Sequence, residues 1–361
     1  MISIGKPIIG DEEKKAVLEV LSSGILTKGE KVKRFEEEFA KFCNTNYAIS
    51  TSSGTSALHA SLLACGIKSG DEIITTPFTF ISTSNSILFT GAKPVFVDID
   101  EDTFNLDPDL INEKINKKTR AILPVHLYGH PADMNPILDL AEDHNLEIIE
   151  DACQAHGAEY CGKKAGSFGT GCFSFYPTKN MTTSEGGMIT TNNKKIAEKA
   201  KMIVNQGSKK RYYHKVVGTN YRMTEICAAI GLAQLKKLNL FNKNRMENAT
   251  YLTNKLKLKG IIAPKTKKNC KHAFHQYTIK ITEDYPKTRE ELIEVLNKQG
   301  IQPSVFYPLP AYKQEAYKYL KIDELKFPVT EKVVKQVLSL PIHPLVSKDD
   351  LDMIAHIVNE I

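Results

Sequence analysis

The stretch Tyr47-Ala-Ile-Ser50-Thr-Ser-Ser-Gly54-Thr55-Ser56-Ala-Leu-His-Ala60 changes its hydrophobic rhythm halfway along. Tyr47–Ser50 is a short apolar run that reads as a strand, and Ala57–Cys65 carries apolar residues at helical spacing. The small polar residues between them are turn and helix-start chemistry. The same alternation continues outward from this unit. Strands are predicted at Glu72–Thr75, Pro94–Asp98, Ala121–Val125, Glu147–Glu150, Cys172–Phe175 and Met188–Thr190, with helix-period segments such as Met134–Asp143 between them. Strands alternating with helices predict an α/β fold, a mostly parallel sheet with helices on both faces.

A long helical pattern follows, from about Glu225 to Leu258, and the boundary of the first domain is placed inside it, giving domains 1–245 and 246–361. The second part reads as a smaller α+β domain. Phe274–Ile281 alternates like a half-buried strand, Thr288-Arg-Glu-Glu291 opens a helix with a capping box, and Ser347 starts the closing helix. Lys265–Lys271 reads as a solvated loop.

Composition narrows the class. The 361 residues are 42% hydrophobic and 25% charged, enough apolar material for a sizeable core. The longest apolar stretch, Ile226–Ala233, is too short to span a bilayer, and Met1–Lys15 does not read as a secretion signal. Seven cysteines without a CxxC pair suit a reduced, cytoplasmic setting and no metal site. A net charge of +6 over this length does not mark a nucleic-acid binder.

In a parallel α/β sheet, ligands bind beyond the carboxyl ends of the strands. Three candidates fall there. Gly54, Thr55 and Ser56 start a helix whose free amides and dipole would cradle a phosphate, or serve only as an ordinary cap. Asp151 follows an apolar strand and would face a cationic nitrogen, or cap the next helix; Gln154 shares its side if the chain turns helical there. Lys179 lies just past the strand containing Ser174, where a packed pocket would free its amine to form a Schiff base, although most lysines are surface residues. Together the three match the demands of pyridoxal phosphate: a helix terminus for its phosphate, a carboxylate for its ring nitrogen and an amine for its aldehyde.

Nine stretches in order carry a resemblance: GEKVKRFEEEFA, TSSGTSALHASL, PFTFISTSNSI, PVHLYGHPADM, EDACQAHGA, FSFYPTKN, EGG, NYRMTEICAAIGLAQL and LSLPIHP. The chain resembles the DegT/StrS-type sugar aminotransferases. The resemblance implies the type I pyridoxal-phosphate transferase fold, aspartate aminotransferase-like, and transfer of an amino group from an amino acid, glutamate, to a nucleotide-linked keto sugar by a ping-pong mechanism. Lys179 would hold the cofactor and serve as base and acid, Asp151 would pair with the ring nitrogen, and Gln154 would approach the ring hydroxyl. Phe80 would stack on the ring, unless it is core. Gly54, Thr55, Ser56 and Ser174 would hold the phosphate, although Ser174 also suits a core hydroxyl. Asn220, otherwise a turn residue, would reach the cofactor phosphate of a second subunit in a homodimer with shared sites. His126 and His156 receive no role.

Lys210, Arg211 and Tyr212 pack cations beside aromatics, either for the nucleotide end of a substrate or as a solvated loop. The sequence departs from the family pattern at Ser184, where glycine is usual, and at His130, where glutamine is common. Phe306-Tyr-Pro-Leu-Pro-Ala-Tyr312 lacks the family's histidine and is expected to lie near the sugar. Family dehydratases replace the lysine with histidine. Their chemistry, an aromatising synthase and a non-catalytic regulatory relative are the alternatives on the same fold.

Overall fold

Most strands of the central sheet carry apolar residues at consecutive positions, and a pleated strand sends consecutive side chains to opposite faces. Ile49, Ile73, Ile149, Cys172 and Ile189 pack with Leu58 and Leu62 of the Gly54–Ala64 helix and Ala197 and Ala200 of the Lys194–Ile203 helix. Their neighbours Ala48, Phe173 and Met188 face the other way, against Phe35 and Phe39 of the Glu30–Cys43 helix. Ile74, Ile122 and Ile148 likewise meet Ile137 and Ala141 of the Met134–Asp143 helix. A sheet apolar on both faces is stable only when helices cover both.

The computed structural model describes residues 1–321 and 327–360. Its seven-stranded sheet runs, edge to edge, Tyr47–Thr51, Gly187–Thr191, Thr170–Ser174, Glu147–Asp151, Thr119–Ile122, Glu72–Thr75 and Lys93–Phe96. Every pairing is parallel except those of Gly187–Thr191, which is antiparallel to both neighbours. Thr170–Ser174 therefore returns through a wide loop, residues 175–186, and that loop carries Lys179. The two reversals cancel, so Thr51, Asp151 and Ser174 all end at one edge.

The C-terminal part holds a three-stranded antiparallel sheet, Ile261–Ile262, Tyr277–Ile281 and Val337–Leu340. Leu292 and Leu296 of the Arg289–Lys298 helix and Leu351 and Ile354 of the Lys348–Asn359 helix close its core. The strand expected from Phe274 starts three residues later, because Phe274 has a left-handed backbone (φ 43°). It is buried at all five positions rather than alternately. Thr278 tolerates this through a 2.8 Å bond with Ser339, and Lys280 through a 3.1 Å ion pair with Glu101.

The long helix, Glu225–Lys255, stops three residues before Leu258 and is capped by Thr224. Its Leu238 packs with Phe35 and Phe39, whereas Ala249 and Leu252 belong to the C-terminal core. Ile2 pairs with Ile301, so the start of the chain lies on the C-terminal part. Residues 265–269 form the solvated loop expected, tied down at intervals. Lys265 and Lys267 bond Asp102 and Asp100, and Cys270–Lys271 pairs with Glu159–Tyr160.

Candidate active site

At that common edge lies a cavity of about 450 Å³, within the range of small-molecule sites. Gly54, Thr55, Phe80, Asp151, Gln154, Ser174 and Lys179 all line it, although they come from four separate stretches of sequence.

The Gly54–Ala64 helix points its N-terminus at the cavity. Ser53 caps it, accepting from the Ser56 amide at 3.1 Å, and the Ser56 hydroxyl bonds back to the Ser53 amide at 2.8 Å. Ser56 is thus buried within the cap and does not line the cavity, whereas Ser53 and Ser82 do. The Gly54 and Thr55 amides have no partner among the described residues. Gly54 is required by closeness: a Cβ there would lie 2.6 Å from Cβ of Ser174.

Asp151 ends its strand, buried. One carboxylate oxygen accepts from the Thr83 hydroxyl at 2.7 Å and the other from the Cys153 amide at 3.2 Å. No cation pairs with it among the described residues. The helix expected after Asp151 is absent, because tight turns follow the strand. Gln154 reaches the cavity through those turns, its carbonyl oxygen accepting from the Tyr128 amide at 2.8 Å.

Lys179 is partly buried on the cavity wall, and its amine has no hydrogen bond or ion pair among the described residues. Burial lowers its pKa; Cys153 and Asp151 push the other way. A lowered value favours the neutral, nucleophilic amine. Phe80 is not core: its side chain is 52% exposed, on the cavity. Ser174 also faces the cavity rather than the core.

Asn220, Lys210, Arg211 and Tyr212 lie outside this cavity. Asn220 is exposed and bridges to Asn205, while the Ser52 amide donates to the neighbouring Tyr221 carbonyl at 2.7 Å. Lys210, Arg211 and Tyr212 form the exposed turn of a hairpin, Ser208–Lys210 with Tyr213–His214. His126 is structural, its Nε2 donating to buried Glu150 at 3.0 Å while Nδ1 accepts from the Ala132 amide. His156 is buried behind Lys179, its pKa lowered by burial to about 3.

Sequence reasoning missed Tyr176, Glu185, His275 and Gln276 on the cavity wall. His275 and Gln276 arrive from the C-terminal part through backbone bonds, Ala273 to Gly129 and Gln276 to Tyr128, which no local pattern signals. Glu185 stood within a quoted motif but was given no role.

These groups fit pyridoxal phosphate. A buried carboxylate lacking a cation suits a protonated ring nitrogen, an unpaired amine suits an aldehyde, and free amides at a helix terminus suit a phosphate.

Comparison with known proteins agrees. The model of the DegT/DnrJ/EryC1/StrS aminotransferase family matches residues 7–359. A GDP-perosamine synthase of Caulobacter vibrioides is 40% identical over 367 residues, covering 100% of this chain and 98% of that one. The crystal structure of Streptomyces venezuelae DesV in complex with a ketimine intermediate superposes with a TM-score of 0.93 at 38% identity, covering 97% and 94% of the two chains. The Bacillus subtilis NtdA structure, solved with the cofactor PMP, gives a TM-score of 0.89 at 33% identity, covering 97% and 82%. The chain belongs to the DegT/DnrJ/EryC1/StrS family and is a pyridoxal-phosphate-dependent aminotransferase.

Proposed function

We propose that this enzyme moves the amino group of glutamate onto a nucleotide-linked keto sugar, in two half-reactions at one site. The observation that carries the chemistry is the buried Asp151 carboxylate, without a cation, sharing one cavity with an unpaired lysine amine and a free helix N-terminus. The name of the Caulobacter relative, a GDP-sugar synthase, supports the substrate class.

The bound cofactor supplies an aldehyde that condenses with amines and a ring that takes up the electrons left when a proton departs. The chain supplies the rest. The Gly54 and Thr55 amides and the Ser174 hydroxyl bind the phosphate. Thr83 and the Cys153 amide hold the Asp151 carboxylate toward the ring nitrogen. Phe80 covers one ring face and excludes water there. The Lys179 amine, its pKa lowered by burial, in its neutral form removes the α-proton of the amino donor and returns it later, acting as base and then acid. Because one cavity serves donor and acceptor in turn, the kinetics are ping-pong.

The active form in this reading is a homodimer. Tyr212, Tyr213 and Val217, in the segment before Asn220, are 79%, 69% and 95% exposed and are available to a second copy. A second copy covering it would bring Asn220 to the neighbouring phosphate, and Lys210, Arg211 and Tyr212 to the nucleotide. The split into domains 1–245 and 246–361 and a cytoplasmic location belong to the same reading.

The test loads the purified protein with pyridoxal phosphate, adds glutamate alone, and then adds a panel of nucleotide-linked keto sugars. Stoichiometric 2-oxoglutarate in the first step and an aminated sugar in the second are expected. No 2-oxoglutarate from glutamate would reject the donor, and no amination of any acceptor would reject the substrate class.

A further inference from the structure

Tyr307 enters the cavity from the Phe306–Tyr312 segment, the one expected near the sugar. Its hydroxyl oxygen accepts a hydrogen bond from Nε2 of Gln154 at 3.1 Å. The direction of that bond is fixed, because the carbonyl oxygen of Gln154 is already taken by the Tyr128 amide at 2.8 Å. The amide end facing Tyr307 is therefore the donor end.

A phenol oxygen that accepts still carries its own hydrogen. Among the described residues no protein acceptor takes that hydrogen, and the open space beside Tyr307 is the cavity. The ring is held in place, 6.3 Å from Phe78 and 6.0 Å from Phe80, while the Tyr128 hydroxyl donates to the Phe306 carbonyl. Its bond to Gln154, three residues from Asp151 on the same cavity wall, puts the Tyr307 hydroxyl toward the carboxylate end of the cavity. The segment therefore serves the cofactor end, not only the sugar end.

We propose that Tyr307 donates a hydrogen bond to the ring hydroxyl oxygen of the cofactor, forming with Gln154 a two-residue clamp on that oxygen. This rests on the reading of the cavity as the pyridoxal-phosphate site.

The test removes the donor and the acceptor separately. Equilibrium binding to cofactor-free protein is measured for pyridoxal phosphate and for 3-deoxypyridoxal phosphate, which lacks the ring oxygen, using wild type and Tyr307→Phe. Urea unfolding of both cofactor-free proteins checks that the variant is folded. Wild type should prefer pyridoxal phosphate by more than about tenfold, because the analogue loses both bonds of the clamp, and Tyr307→Phe should lose about tenfold toward pyridoxal phosphate and nothing toward the deoxy analogue. Equal losses for both compounds, no loss for either, or a wild type without preference would overturn the proposal. A wild type that binds neither compound would overturn the cofactor reading itself, and the clamp with it.

Discussion

The closest packing at the site is between Gly54 and Ser174, so Gly54→Ala tests how the phosphate cradle is built. The added methyl would lie 2.6 Å from Cβ and 3.2 Å from Cα of Ser174, and 3.0 Å from Sγ of Cys153. Favourable carbon contacts begin near ~3.5 Å, so the overlap is roughly 1 Å, against strand backbone as well as side chain. Neither partner is the free end of a flexible chain, and the helix N-terminus must retreat from Ser174. Overpacking of this kind costs about 1–3 kcal/mol. The melting temperature of the cofactor-free protein should therefore fall by about 1–4 °C. Pyridoxal-phosphate affinity should fall further than stability does, because the retreat separates the Gly54 and Thr55 amides from the Ser174 hydroxyl. Gly5→Ala is the control: its Cβ would meet only Thr178, at 3.9 Å, and it should melt like wild type. Gly54→Ala with unchanged melting and unchanged cofactor titration would refute the account.

Ser184 stands where the family pattern has glycine, and its backbone is left-handed (φ 74°). Ser184→Gly should therefore stabilise by up to about 1 kcal/mol, and Ser184→Val should destabilise by ~1–2 kcal/mol, both read from urea midpoints. Burial lowers the Lys179 pKa, so the folded chain carries a deficit of stability that is full below its folded pKa and is lost between that value and the unfolded one of about 10.4, the window in which only the unfolded chain holds the proton. That deficit shrinks as pH rises through the window, so cofactor-free Lys179→Met, though inactive, should exceed wild type in urea resistance at pH 7. The gap should narrow toward pH 10; a constant gap would mean that the amine is not desolvated. The double variant Lys210→Ala/Arg211→Ala should raise the acceptor KM by tenfold or more on the loss of two charged contacts, sparing the glutamate half-reaction. Equal damage to both halves would reject nucleotide binding by the hairpin.

The sheet was legible because its strands carry apolar residues on both faces, Asp151 and Ser174 because they end apolar strands, and Lys179 because it lies in the loop just after one. What local pattern could not carry was partnership across distance. Nothing around Met188 tells that its strand runs antiparallel, since direction is set by the neighbours it pairs with. That Ser53 and Ser82 reach the cavity wall while Ser56 is buried follows from how the helix start packs, which no local pattern signals. His275, Gln276 and Tyr307 are carried to the cavity by backbone bonds to Gly129 and Tyr128 and by the Phe78 cluster, roughly 150–230 residues away in sequence. Phe80 reads as core by composition alone; only its exposure on the cavity wall sets it apart.

The deficits of the cofactor-free chain are of one kind. Asp151 is a buried carboxylate without a cation, Lys179 an amine without a partner, and the Gly54 and Thr55 amides donors without an acceptor. Each alone is destabilising in a folded protein, and each has the sign that one ligand repairs. A ligand that binds only the folded state at a thousand times its Kd adds about 4 kcal/mol of stability. Asp151 ends the fifth sheet strand in chain order, while Gly54 and Thr55 follow the first and Lys179 the sixth, and they face one cavity because the antiparallel Gly187–Thr191 strand lies between Tyr47–Thr51 and Thr170–Ser174. Removing that strand would part Gly54 from Ser174.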